Sequence, residues 1–166
     1  MTVWVVMIMS VVVGAVLQCL LPGFAWLGQV KFPILLSIVL YYALHWNVGL
    51  TLSAALVAGF FQDSLSPIPA GYSAFCFIAL GWLVNRWRDL VQTESLVTPL
   101  LFGSTGAMAA TVAMYVFLNH GDLVECPFWR LILMTVGSGL LGAVTAPVVF
   151  GLNGLCDRMV GNIEEQ

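Results

Sequence analysis

Charge is what this chain has least of. Only 8% of its 166 residues are Asp, Glu, Lys or Arg, against about a quarter in an ordinary soluble domain. So few charges cannot cover a water-facing surface, which excludes a soluble globular protein. Positive charge is the scarcer sign. Five Lys and Arg against eight Asp and Glu leave a net charge of −3, and no basic surface is available for nucleic acid. Histidine is nearly missing: His45 and His120 stand alone, with no Asp, Glu or Cys at ligand spacing, so no zinc site is expected. Gly103-Ser104-Thr105-Gly106 has no histidine placed to activate Ser104, which reads as a small packing residue. Cys19, Cys76, Cys126 and Cys156 have neither metal nor redox spacing and are expected to behave as small apolar side chains. The expectation is therefore no catalytic residue, no metal and no cofactor. A secretory signal pattern is missing as well. No Lys or Arg precedes the first apolar run and no small-x-small cleavage site follows it, so that run is read as a retained helix.

What the chain has is apolar length. Hydrophobic residues make up 61% of it, and the mean hydropathy is +1.02. The runs are Val3–Leu21, Phe32–Leu44, Val48–Phe61, Ala70–Val84, Leu96–Leu118 and Leu131–Leu155, separated by short polar or turn-forming breaks. This predicts an all-α integral membrane protein, a six-transmembrane-helix bundle in a single domain over residues 1–166. The second to fourth runs rise only about 20–22 Å, against a hydrocarbon core of roughly 30 Å. Either the helices extend into flanking residues or the bilayer thins around them. Fusing Phe32 to Phe61 into one helix would give five crossings, but would put His45-Trp46-Asn47 at mid-depth; a hairpin and six crossings fit better.

The six tryptophans, at 4, 26, 46, 82, 87 and 129, fall at or near run ends, where the headgroup level favours an amphipathic ring. With six crossings and the N-terminus inside, Arg86, Arg88 and Arg158 are cytoplasmic, while Lys31 and Arg130 lie outside. The five-crossing arrangement satisfies the positive-inside rule better. Both make Arg86-Trp87-Arg88 a cytoplasmic positive loop. Gln18 and Ser10, inside the first run, either face the bundle or bond their own backbone.

One acid stands between two apolar runs, in Gly59-Phe60-Phe61-Gln62-Asp63-Ser64-Leu65-Ser66-Pro67-Ile68-Pro69-Ala70-Gly71. A carboxylate near lipid is expensive and marks a packing requirement or a function. At a helix end Asp63 can accept from backbone N–H groups that begin the next helix. Ser64 and Ser66 can join that network, Gly71 allows close backbone approach, and Pro67 and Pro69 enforce the turn. Alternatively, Asp63 contacts a partner or a proton, although no second acid lies inside a run. The last two runs carry small residues at four-residue spacing: Gly103/Ala107, Gly106/Ala110, Gly139/Ala143 and Gly142/Ala146. Such faces pack helices within the bundle or against a partner helix. Pro147 is expected to kink the sixth helix.

The spacing Gly59, Asp63, Ser66, Gly71 resembles the central motif of the rod shape-determining MreD family. Lys31-Phe32-Pro33 with Tyr41-Tyr42-Ala43-Leu44 looks like that family's entry into its second helix, and Asn85-Arg86-Trp87-Arg88 like its arginine-bearing loop. The resemblance covers roughly residues 30 to 90. Gln62, Pro67 and Ile34 depart from the family pattern. What the resemblance implies is a non-enzymatic scaffold of the elongation machinery in the bacterial inner membrane. Its implied direct partner is a bitopic MreC-like protein, and through it RodA, a class B penicillin-binding protein and MreB filaments. The implied fold is like the substrate-binding component of energy-coupling-factor transporters. The rival is a small-molecule-binding membrane subunit of a vitamin-type transporter, for which Asn119, His120, Asp122 and Glu125 are the polar residues at the outer face.

Overall fold

The computed structural model describes residues 2–21, 31–66, 71–88, 97–120 and 128–161. These form six helices: α1 (Thr2–Leu20), α2 (Ile34–His45), α3 (Val48–Ser64), α4 (Tyr72–Trp87), α5 (Val97–His120) and α6 (Phe128–Met159). Among the described residues there is no strand. Three helices, α1, α5 and α6, are each long and apolar enough to cross a membrane.

The break between α2 and α3 has a local cause. Trp46 leaves the helix in extended backbone, and the Asn47 side chain accepts the Leu50 N–H at 3.1 Å, a cap that satisfies one of the open donors of α3. The Thr51 hydroxyl donates back to the Tyr42 carbonyl at 3.1 Å and ties the hairpin shut. The hairpin expected over 32–61 is what forms, as two helices and not one.

Side-chain pairs give the sense of each helix. Gly103 meets Gly142 and Thr111 meets Ser138, an antiparallel order for α5 and α6. Ser37 meets Thr145 and Tyr41 meets Phe150, so α2 and α6 run parallel. The last turns of α2, α4 and α6 thus share one end of the bundle with the first turns of α3 and α5. Among the described residues this end carries Arg86, Arg88 and Arg158 and is called the basic end; Lys31, Asp63 and Arg130 lie at the other.

At the centre is α2. Of its 12 residues 11 are buried, and it packs against all five other helices. A helix apolar all round belongs in an interior. Twelve residues rise about 18 Å, too short for a lipid-facing span, but protein surrounds α2 and its length need not match the bilayer. The other two short runs do extend. Helix α3 runs on to Ser64, taking Asp63 into its last turn, and α4 runs on to Trp87. Arg86 and Trp87 are therefore helical and Arg88 caps α4, which corrects the expected loop. The 32-residue α6 continues across Pro147 and beyond Leu155 to Met159. It carries Asp157, 0% exposed, so the expectation that no second acid lies within a run is corrected too.

Candidate functional site

Asp63 sits in the last turn of α3, where the helix dipole disfavours a negative charge. The next helix compensates. Gly71 N–H donates to Asp63 Oδ2 at 2.6 Å and Ser73 N–H to Oδ1 at 2.9 Å, so the carboxylate caps α4 while standing on α3. The side chain is 5% exposed. Charge-assisted bonds of this length are about twice as strong as neutral ones, and here they use both carboxylate oxygens.

Two glycines allow this arrangement for different reasons. A Cβ on Gly59 would overlap Ala74, with the Ala74 backbone N at 2.6 Å, so α3 and α4 touch backbone to backbone there. Gly71 has nothing within 4 Å of such a Cβ; its φ of +107° is what excludes other residues. Close approach thus belongs to Gly59, not to Gly71 as the sequence suggested. Ser66 accepts from Gln62 Nε2 at 3.5 Å, while Ser64 turns back to its own Phe60 carbonyl at 2.9 Å and stays outside the network. Pro67 and Pro69 lie outside the described residues.

Gln62 extends the network across the bundle. Gln18 Nε2 donates to Gln62 Oε1 at 2.7 Å, and Gln18 Oε1 accepts the Leu35 N–H at 3.3 Å. One glutamine therefore bonds α1 to both α3 and the first turn of α2. Gln18 faces the bundle; Ser10 is half-buried.

The small-residue faces of α5 and α6 meet each other. A Cβ on Gly103 would strike Ala146 and the Gly142 carbonyl, and one on Gly142 would strike the Gly103 carbonyl and, at 2.7 Å, Ala107. A Cβ on Gly139 would come within 2.7 Å of Met108 and one on Gly106 within 3.0 Å of Leu40 of α2, and Ala110 is buried. Thr111 donates to Ser138 Oγ at 2.8 Å across the same seam.

The basic end has a polar cluster that sequence reasoning missed. Asn85 Nδ2 donates to the Ala43 carbonyl at 2.7 Å and the Trp46 carbonyl at 2.9 Å, and Arg88 Nη1 reaches the Trp46 carbonyl at 2.6 Å. The last turn of α4 so closes the open carbonyls that end α2. Beside it, Tyr41 Oη donates to Asp157 Oδ2 at 2.8 Å and the Tyr41 ring stacks on His45 at 4.5 Å. A signal for Asp157 was present. Ser138, Leu141, Thr145, Val149, Asn153 and Asp157 recur every three or four residues along α6, and all are buried.

Among the described residues no three His, Cys, Asp or Glu side chains converge to hold a metal ion. Asp122, Glu125, Cys126 and the side chain of His120 lie outside the described residues. A shallow apolar cleft of about 290 Å³ opens beside the Asp63 turn, lined by Gly71, Tyr72, Phe75 and Phe117.

No curated protein and no solved structure matches the chain. The family model of the rod shape-determining protein MreD matches residues 1–153. That span takes in the Asp63 cap, the Asn85–Arg88 closure of the α2–α3 turn and nearly all of the α5–α6 seam, well beyond the stretch around the central motif. With six helices packed about a buried α2, three of them long and apolar enough to cross a membrane, the chain belongs to the rod shape-determining MreD family.

Proposed function

We propose that this member of a rod shape-determining membrane family acts as a non-enzymatic scaffold of the elongation complex in the bacterial inner membrane. It crosses six times as a single domain with its basic end in the cytoplasm. Its direct partner is a bitopic MreC-like protein. Through that partner it acts on RodA, a class B penicillin-binding protein and MreB filaments, and so on peptidoglycan synthesis. The bundle is of the kind found in the substrate-binding component of energy-coupling-factor transporters, used here without a substrate.

One observation supports this reading above the others. The polar side chains that define the motif are turned inward and hold helices together, while the outward faces are rows of large apolar residues. On α6 these are Leu140, Val144, Val148 and Leu152, one per turn; on α1 Val5, Met9, Val12 and Val16 form a similar ridge. Such ridges engage other membrane segments by shape, since lipid supplies no hydrophobic drive for helices to associate.

Affinity capture from native membranes tests the proposal. A bitopic MreC-like protein should co-elute, and deletion should turn rods into spheres. Capture without that protein, together with normal cell width after deletion, would end the scaffold reading. Stabilisation of the purified protein by a vitamin-sized ligand would support the transporter-subunit alternative instead.

A further inference from the structure

The basic end holds a second cavity, of about 190 Å³, between the start of α3 and the end of α4. It is lined by Val48, Trp82, Asn85, Arg86 and Arg88. Only five Lys and Arg occur in the whole chain, and two of them converge on this one opening. We infer that it binds the phosphate group of an anionic phospholipid, with Arg86 and Arg88 as the charged contacts.

Arg88 is anchored by its bond to the Trp46 carbonyl at 2.6 Å, which orients a guanidinium that carries five N–H donors. Arg86 is exposed on the last turn of α4 and has no ion-pair partner among the described residues. Paired arginines at fixed spacing suit the oxygens of a phosphate.

Backbone polarity favours the same ligand. Helix α3 begins at this opening, and the Asn47 cap serves Leu50 N–H. The N–H groups of Val48 and Gly49 in the exposed first turn have no acceptor within the helix. The positive end of the α3 dipole is thus turned to an anion. Two carbonyls at the end of α2 that would repel an anion are covered: Ala43 by Asn85, and Trp46 by both Asn85 and Arg88. Among the described residues the acid at this end is Asp157, which is buried and bonded to Tyr41.

The flank of the cavity selects a lipid over a free anion. Trp82 is 54% and Trp87 57% exposed, with Leu83 exposed between them. Tryptophan rings gather where headgroups meet acyl chains, so an anion bound here has hydrocarbon directly beside it. Basic pockets at helix ends are how membrane proteins hold anionic headgroups.

This inference does not depend on the partner assigned above. Its test is binding to the purified full chain, read by native mass spectrometry and by thermal unfolding, with phosphatidylglycerol, phosphatidylcholine and inorganic phosphate as probes. Phosphatidylglycerol should bind and stabilise, and phosphatidylcholine should do neither. Arg86→Gln should weaken phosphatidylglycerol binding about fivefold, one interfacial charge's worth. Arg86 is exposed, so without lipid this variant should melt with the wild type, which guards against misfolding. Adding Arg88→Gln should weaken binding further, while Arg130→Gln at the opposite end should leave it unchanged. Equal binding of the two lipids, or an unaltered Arg86→Gln, would overturn the inference. Stabilisation by inorganic phosphate equal to that by phosphatidylglycerol would overturn the lipid assignment in favour of a soluble anion.

Discussion

The α3–α4 pair and the α5–α6 pair both bring backbones together through glycine, but different forces hold them. In α3–α4 one close contact, Gly59 on Ala74, is combined with a directional latch, the Asp63 carboxylate gripping the first turn of α4. In α5–α6 the contact is spread along the seam, through Gly103, Gly142, Ala107 and Ala146, with hydroxyl bonds added. The lengths explain the difference. Helices α3 and α4 have 17 and 16 residues and must be fixed at their ends; α5 and α6 have 24 and 32 and accumulate enough dispersion contact to hold by shape.

Steric insults should break both pairs and give the largest effects. Gly142→Leu and Gly59→Leu each force a side chain into opposing backbone and should cost about 3 kcal/mol, seen as lower melting temperature and loss of protein from membranes. A wild-type melting curve for Gly142→Leu would mean that the seam does not close as described. The latch should separate the pairs. Asp63→Ala leaves the Gly71 and Ser73 N–H groups without their acceptor and should cost about 2–3 kcal/mol, with Asp63→Asn between it and the wild type because one oxygen remains. No single hydroxyl of the seam should matter as much: Thr111→Val should cost about 1 kcal/mol.

Smaller effects sharpen the distinction between space and backbone. Gly71→Ala meets no atom but places a Cβ on left-handed backbone, so about 1 kcal/mol should be lost through conformation alone. Gly154→Ala also meets no atom, and lies within α6 at ordinary helical angles. It should be neutral or gain about 0.5 kcal/mol. Equal losses at 71 and 154 would show that the left-handed turn is not what makes Gly71 necessary.

Much of the layout was legible because apolar length and its interruptions are local. The α2–α3 break could be read from His45-Trp46-Asn47, and the capping role of Asp63 from its place before a proline-broken turn. Helix ends were less legible. Whether Asn85 and Asp157 lie on helices depends on partners distant in the chain, the Ala43 and Trp46 carbonyls and the Tyr41 hydroxyl. Gln62 looked like a departure from the family pattern, and its role became visible only with Gln18 beside it.

Hydrophobicity along the chain by itself determined that this protein lives in lipid and where its rods begin, since burying backbone in hydrocarbon leaves little choice but helix. Which rod is surrounded by the others was decided only in three dimensions. All the runs are apolar enough to be interior, so selection of α2 depends on contacts between segments up to 116 residues apart, such as Tyr41 with Asp157.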